Sequence, residues 1–331
     1  MSEAVLRGYR VLGRIARGST ADILLAEPNL SDDDTPAAVA LGLVQAGRRV
    51  AIKRLYPHLA IDEDFVRMFV DEVQLLSRFR HPHILGVFDL DDDKETFFAV
   101  LELVDGPSLS AALRLCEQGG RKGLPVDVAV SVMAAVCDAL VAVHGLTDAE
   151  TGAPLSLVHR DINPMNVLVG LDGAVKLADF GVAHSAMMRA QGTLKSRETT
   201  AGTRKGKASY LAPEQIVGRA VTASADVYAA GATLWCLLTG APPFVAERDV
   251  DLFDIVQHAP VPRLVERVGL GGETELDALL QQLLQKDPEA RPASAAVVRD
   301  ALRGWQSAHN IDAGATVAAF VRGLGLPTLM P

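Results

Sequence analysis

The hydrophobic period of the chain changes once, at Asp105–Leu109 (DGPSL). Before that point short β-branched runs read as strands: two within residues 9–26 around a small-residue turn, VAIKRL at 50–55, and two more near 84–90 and 96–103. One amphipathic helix interrupts them over Asp62–Phe79, where Phe65, Phe69, Val73 and Leu76 recur at spacings of three and four. Beyond the change the pattern is mostly helical, over 109–117, 126–145, 222–240, 249–257, 273–285 and 293–306. Two stretches with such different periods cannot share one layer arrangement, and Gly106 and Pro107 punctuate the junction. The expectation is an α+β fold of two lobes, a small β-rich one with a single main helix over 1–104 and a larger helical one over 105–307.

Several segments fall outside this pattern. Residues 27–49 open acidic and proline-containing (SDDDTP) with no clear period, and read as a loop insertion with room for a short helix. TDAETGAPLS (147–156) is a polar, turn-rich insertion, and the tail 308–331 holds one short apolar helix, Ala313–Phe320.

With 331 residues, 49% of them hydrophobic and 22% charged, the chain has the composition of a folded protein and not of a disordered one. A net charge of −9 argues against bulk affinity for nucleic acid, so an anionic ligand needs a local positive pocket. Cys116, Cys137 and Cys236 show no metal-ligand spacing and fit a reducing compartment. The first residues lack an apolar signal core, and the longest apolar run, Val227–Leu238, is too short to cross a bilayer. The chain reads as soluble and cytoplasmic, without a membrane span.

Four places could carry chemistry. Lys53 lies inside an apolar strand, where an ammonium is costly unless paired, and Glu72 on the following helix is the partner within reach. From these residues alone the pair is as readily structural as functional. VHRDINPMNVLV (158–169) sets Asp161 and Asn166 on a loop entered and left through strand-like runs; a carboxylate base beside an amide oxygen suits taking up a proton next to a bound Mg²⁺. KLADFG (176–181) adds a second carboxylate, Asp179, at a strand end. The turn IARGSTADI (15–23) has one well-placed glycine, Gly18, and reads by itself as an ordinary hairpin.

In this order the motifs VAIK, helix Glu72, HRDxxxxN, DFG, YLAPE (210–214), DVYAAG (226–231) and DPEARP (287–292) resemble the protein kinase family, specifically the eukaryotic-like (Hanks-type) Ser/Thr kinases of bacteria. The resemblance runs from Tyr9 to Trp305 and implies the bilobal kinase fold. It also implies transfer of the γ-phosphate of ATP, with Mg²⁺, to protein Ser/Thr hydroxyls. On that resemblance Lys53 holds the α/β-phosphates and pairs with Glu72, Asp161 takes the substrate proton, and Asn166 and Asp179 hold the metal. Ile15, Gly18, Ile23, Ala51, Leu101, Glu102, Val104 and Leu168 would surround the nucleotide, Leu101 as gatekeeper and Glu102 and Val104 at the adenine edge. Glu214 and Arg291 match a buried ion pair, and Asp226 a carboxylate that braces the catalytic loop. The activation segment, 179–214, offers Thr203, with Thr199 and Thr200 as alternatives, for a phosphate that pairs with Arg160. A homodimer phosphorylating in trans is compatible with that regulation.

Three departures stand out. The glycine-rich loop is reduced to Ala16-x-Gly18-x-x-Ala21, Asn163 stands where most Ser/Thr kinases carry lysine, and Gly206-Lys207 replaces the usual Gly-Thr pair. The last two fall on groups that touch in the family, which suggests that Lys207 reaches back to replace the missing cation near Asp161; the plain alternative is a lysine pointing to solvent. The departures also leave room for a pseudokinase that binds nucleotide and acts as a scaffold. A small-molecule phosphotransferase is disfavoured by YLAPE and DPEARP, and tyrosine specificity by the absence of a catalytic-loop arginine.

Overall fold

The computed structural model describes residues 5–29, 37–40, 42, 44–45, 47–93, 96–180, 207–268 and 273–326. They group into two compact units, one running to Leu103 and the other starting at Val104.

The first unit holds β1 (Val5–Leu6), β2 (Tyr9–Arg17), β3 (Ala21–Pro28), α1 (Ala37–Ala40), β4 (Val50–Leu55), α2 (Glu63–Ser77), β5 (Val87–Asp92) and β6 (Phe97–Leu101). The strands make one antiparallel sheet in the order β1-β2-β3-β4-β6-β5. Strand period two sorts its side chains. Leu24, Ala26, Val50, Ile52, Phe98 and Val100 share one buried cluster with Tyr9, Ala38 and Val44. The segment 27–49 is therefore more than a polar loop: Ala38 (1% exposed) and Val44 (2%) help cover one face of the sheet. Ala51 and Lys53, alternating with Val50 and Ile52, belong to the opposite face. Helix α2 packs against β5 and buries Met68, Phe69, Glu72, Val73 and Leu76. Asp62 caps it by accepting from the Asp64 amide at 3.0 Å, and Glu63 and Asp64 sit favourably at its positive end.

The second unit contains α3 (Leu109–Gln118), α4 (Val126–His144), β7 (Val167–Val169), β8 (Val175–Leu177), α5 (Pro213–Ile216) and α6 (Ala223–Thr239). After them come α7 (Asp249–His258), α8 (Leu264–Val268), α9 (Thr274–Leu283), α10 (Ala295–Ala308) and α11 (Ala313–Gly323). Helices α4 and α6 are apolar almost all round, as fits helices wrapped by protein on every side. By length and composition α4 is long and apolar enough to cross a membrane, which its scattered Ser131 and Asp138 conceal in the sequence. Most of it is buried against α6, α10, α11 and β8, so it is the central core helix of this unit.

The tail helix α11 is longer than the apolar stretch suggests and belongs to the same core, burying Val317, Ala318 and Val321 and packing on α4. Its first turn meets the β7–β8 turn at Gly173: φ is +89°, and a β-carbon there would lie 2.3 Å from the Gly314 carbonyl oxygen. Only glycine satisfies both the left-handed backbone and that approach. The 147–156 insertion forms a tight polar hairpin, with the Asp148 amide donating to the Ala153 carbonyl at 2.8 Å and the Asp148 carboxylate accepting from the amides of Glu150 and Thr151.

Candidate active site

In the first unit the sheet register sets the row of candidate ligands. Ile23 lies opposite Lys53 on β3 and β4, and Ala51 lies opposite Leu101 on β4 and β6. Lys53 Nζ is 3.1 Å from Glu72 Oε1, with only 14% and 8% of the two side chains exposed. A pair this buried holds both charges in place, because removing either partner strands the other away from water. Ile15 falls in the irregular step of β2 between Arg14 and Ala16. Gly18 closes the β2–β3 turn, its amide donating to the Ala21 carbonyl at 2.9 Å.

That turn has an anchor which sequence reasoning missed. The Tyr56 hydroxyl donates to the Gly18 carbonyl at 3.0 Å and accepts from Arg17 Nε at 3.3 Å, while the Tyr56 amide donates to the Thr20 carbonyl at 3.0 Å. A turn poor in glycine is thus tied to the end of β4 through one side chain. Glu102 is fixed likewise: its amide donates to the Gly86 carbonyl at 2.8 Å, and its carboxylate accepts from the Gly86 amide at 3.1 Å.

In the second unit the segment between α4 and β7 carries the catalytic candidates. Asp226, buried in the first turn of α6, accepts from the amides of His159 and Arg160, both at 2.7 Å, and contacts His144 Nε2 at 2.8 Å. Arg160 and Asp179 both hold positive φ, +70° and +52°, a conformation costly for non-glycine residues. The amide contacts to Asp226 are what hold the first of these bends. His159 is fully buried, its ring centroid 4.5 Å from that of Phe180. Burial pushes its pKa below the ordinary histidine range, against the opposing pull of Asp226, Asp161 and Asp179.

The carboxylate of Asp161 is the focus of the site. Asn163 Nδ2 donates to its Oδ1 at 2.7 Å, Asn166 Nδ2 to its Oδ2 at 2.9 Å, and Lys207 Nζ lies 2.5 Å from the same Oδ2. Of the roughly four acceptor positions on a carboxylate, those contacts leave one, on Oδ1, among the described residues. Asn163 is wholly buried; its Oδ1 accepts from the Met165 amide at 2.9 Å, so it acts as an internal brace of the loop. Asn166 spends its amide nitrogen on Asp161, so its Oδ1 is the atom that could meet a cation, and its backbone carbonyl takes the Ala178 amide at 2.8 Å, one residue before Asp179. Among the described residues no group of three or more His, Cys, Asp or Glu side chains could cage a metal. One amide oxygen and one carboxylate instead fit an ion such as Mg²⁺, which keeps several ligands for water and phosphate.

Val104 is buried, with its carbonyl accepting from the Gly106 amide at 3.0 Å, and Leu168 stands on β7 opposite Lys176, bridged also to Ser108. Gln215 Nε2 donates to the Arg160 carbonyl at 3.2 Å, a tie from α5 to the catalytic loop with no sequence signal of its own. Arg291 makes a two-pronged pair with Glu214, at 2.7 and 2.8 Å, and donates to the carbonyls of Gln285, Ser224 and Lys286 as well. Gly181, Thr199, Thr200, Thr203 and Gly206 lie outside the described residues.

Residues 36–302 match the protein kinase domain family. The match starts within the 27–49 segment, so the glycine-poor turn lies ahead of it. Among curated relatives, the chain is 34% identical over 319 residues to the tyrosine-protein kinase MasK of Myxococcus xanthus, covering 95% of this chain and 46% of that one. It is 33% identical over 261 residues to the serine/threonine-protein kinase PknB of Mycobacterium leprae, covering 77% and 38%. The chain thus spans less than half the length of these relatives. The PknI kinase domain of Mycobacterium tuberculosis superposes with a TM-score of 0.63 at 25% identity, over 92% of this chain and 98% of that one. Motif order, site geometry and these likenesses agree, and the chain belongs to the protein kinase family, with the eukaryotic-like kinases of bacteria.

Proposed function

We propose that the chain is an ATP-dependent protein kinase that phosphorylates serine and threonine hydroxyls. The observation that carries the reading is Asp161: a carboxylate oriented by two asparagines, with one acceptor position left on Oδ1. In this reading Oδ1 takes the proton of the substrate hydroxyl as its oxygen bonds the γ-phosphorus, and the bond from phosphorus to the β-phosphate oxygen breaks, its electron pair leaving with ADP. Lys53, steadied by Glu72, holds the α/β-phosphates, and Ala51, Leu101, Glu102, Val104, Leu168, Ile15 and Ile23 line the nucleotide. Asn166 and Asp179 would hold Mg²⁺, which when bound neutralises charge on the phosphates. With Lys53, Glu72, Asp161, Asn166 and Asp179 all present, no step lacks its residue, which speaks against a purely scaffolding role.

A second reading, tyrosine phosphorylation, is favoured only by the name of MasK. Incubation with Mg²⁺ and labelled ATP, followed by phosphoamino-acid analysis and mass spectrometry, decides between them. The expected result is phosphothreonine, with sites among Thr199, Thr200 and Thr203, all abolished in Asp161→Asn. Phosphotyrosine alone would support the second reading, and label that persists in Asp161→Asn would defeat the assignment of the base.

A further inference from the structure

We propose that Lys207, carried by the activation segment, is the cation that accompanies the γ-phosphate, a role the catalytic loop itself does not fill. This rests on the kinase reading above and specifies how its charge is supplied. Within the catalytic loop, Asn163 is no substitute for a cation, because it is neutral, wholly buried and spent at both ends on Asp161 and Met165. Lys207, among the described residues, brings a positive charge to the base. Its Nζ touches Oδ2 of Asp161, the oxygen that the substrate hydroxyl does not need.

The position is built from behind. The Lys207 carbonyl accepts from the Tyr210 amide at 3.1 Å, and Ala208 and Ser209 are buried. The Tyr210 hydroxyl reaches Cys236 Sγ on α6 at 3.2 Å. The backbone that bears Lys207 is therefore seated on α6, the same helix whose Asp226 shapes the catalytic loop. An ammonium has three N–H bonds, and among the described residues Lys207 uses one; its side chain is 36% exposed, so the others can reach an anion. A lysine on a flexible stem suits an oxygen whose position shifts during transfer.

The arrangement has a consequence for regulation. When base and cation share one loop, moving the activation segment disturbs the peptide platform and leaves the catalytic charges in place. Here the segment carries the cation, so its displacement removes transition-state charge as well. Transfer to water, which needs no peptide platform, should then fall together with transfer to protein.

The test uses the full chain. Lys207→Met is expected to lower kcat about 100-fold for both protein phosphorylation and ATP hydrolysis, the usual scale for losing one preorganised donor. The KM for protein substrate should stay within about threefold, since the proposed contact is to the phosphoryl group and not to the protein substrate. Lys207→Cys should be similarly impaired and recover on alkylation with 2-bromoethylamine, which rebuilds an ammonium of lysine length. Cys116, Cys137 and Cys236 are buried, so the new thiol is the one that reacts. Isothermal titration adds a readout free of turnover: the preference for a non-hydrolysable triphosphate analogue over ADP should fall about tenfold in Lys207→Met, as for a lost charge-assisted contact, with ADP affinity unchanged. Near-wild-type kcat in Lys207→Met would overturn the proposal. So would failure of alkylation to restore activity, or an unchanged triphosphate preference, since a merely structural lysine gives those results. An inactive wild type would defeat the kinase reading instead, and the binding measurement would still decide Lys207.

Discussion

His159 and Asp226 show how much of the loop that carries Asp161 is settled by two fully buried side chains. Asp226 fixes the bend at Arg160 by accepting two adjacent amides, and His159 fills the space beneath it against Phe180. Because burial lowers the His159 pKa, the folded protein prefers its neutral ring. Below the unfolded value of about 6.5 the unfolded chain takes up a proton that the folded one resists, so this contribution to stability is present above that pH and lost as pH falls through the lower folded value. Urea unfolding at pH 7 and pH 5 checks this: the wild-type midpoint should drop more than that of His159→Leu. Equal drops would mean that the ring titrates as freely in the folded state as in the unfolded one. The motif residues around it were legible because their chemistry needs those residue types in that order. Asn163 was legible only as a missing charge. Its role as a brace depends on a buried conformation that no spacing reports, and Tyr56 carries no motif at all.

Among the elements, those with enough length to show a period were readable, and those without were not. Helix α2 was expected over 62–79 and spans Glu63–Ser77; α4 was expected over 126–145 and spans Val126–His144. Short α5 and α8 have too few residues for an amphipathic pattern, and contacts to other elements hold them. The 27–49 segment hid its two core residues behind an acidic start. Helix α5 also depends on the Glu214–Arg291 pair, in which none of the arginine side chain is exposed. Arg291→Ala should therefore destabilise the protein by about 3–5 kcal/mol, through the carboxylate left unpaired. Replacing Glu214 in the same chain should cost less than the sum of the two single changes. Chemical denaturation of the three variants is the measurement; strictly additive losses would show that the two residues act separately.

For the molecule as a whole, the tail is where the structure adds most to the sequence-based picture. The family match ends at residue 302, yet α11 closes over α4 and seats its first turn against Gly173. Its apolar side chains read as a short helix whose packing the sequence does not place, because the helix it packs on lies far back in the sequence. A chain cut after Ala308 would uncover the α4 surface beneath Val317, Ala318 and Val321, with an expected loss on the order of 2–4 kcal/mol. Thermal and urea unfolding of the cut chain would show it, and unchanged stability would mark α11 as an ornament.

The burial of α4 also carries a timetable. On a translating ribosome this apolar helix emerges before α10 and α11, two of the helices that cover it. Until those two helices emerge the lobe therefore holds an unsheathed apolar rod, and its cooperative closure must wait for α11. Such a nascent chain exposes apolar surface that favours aggregation or chaperone binding until the lobe closes.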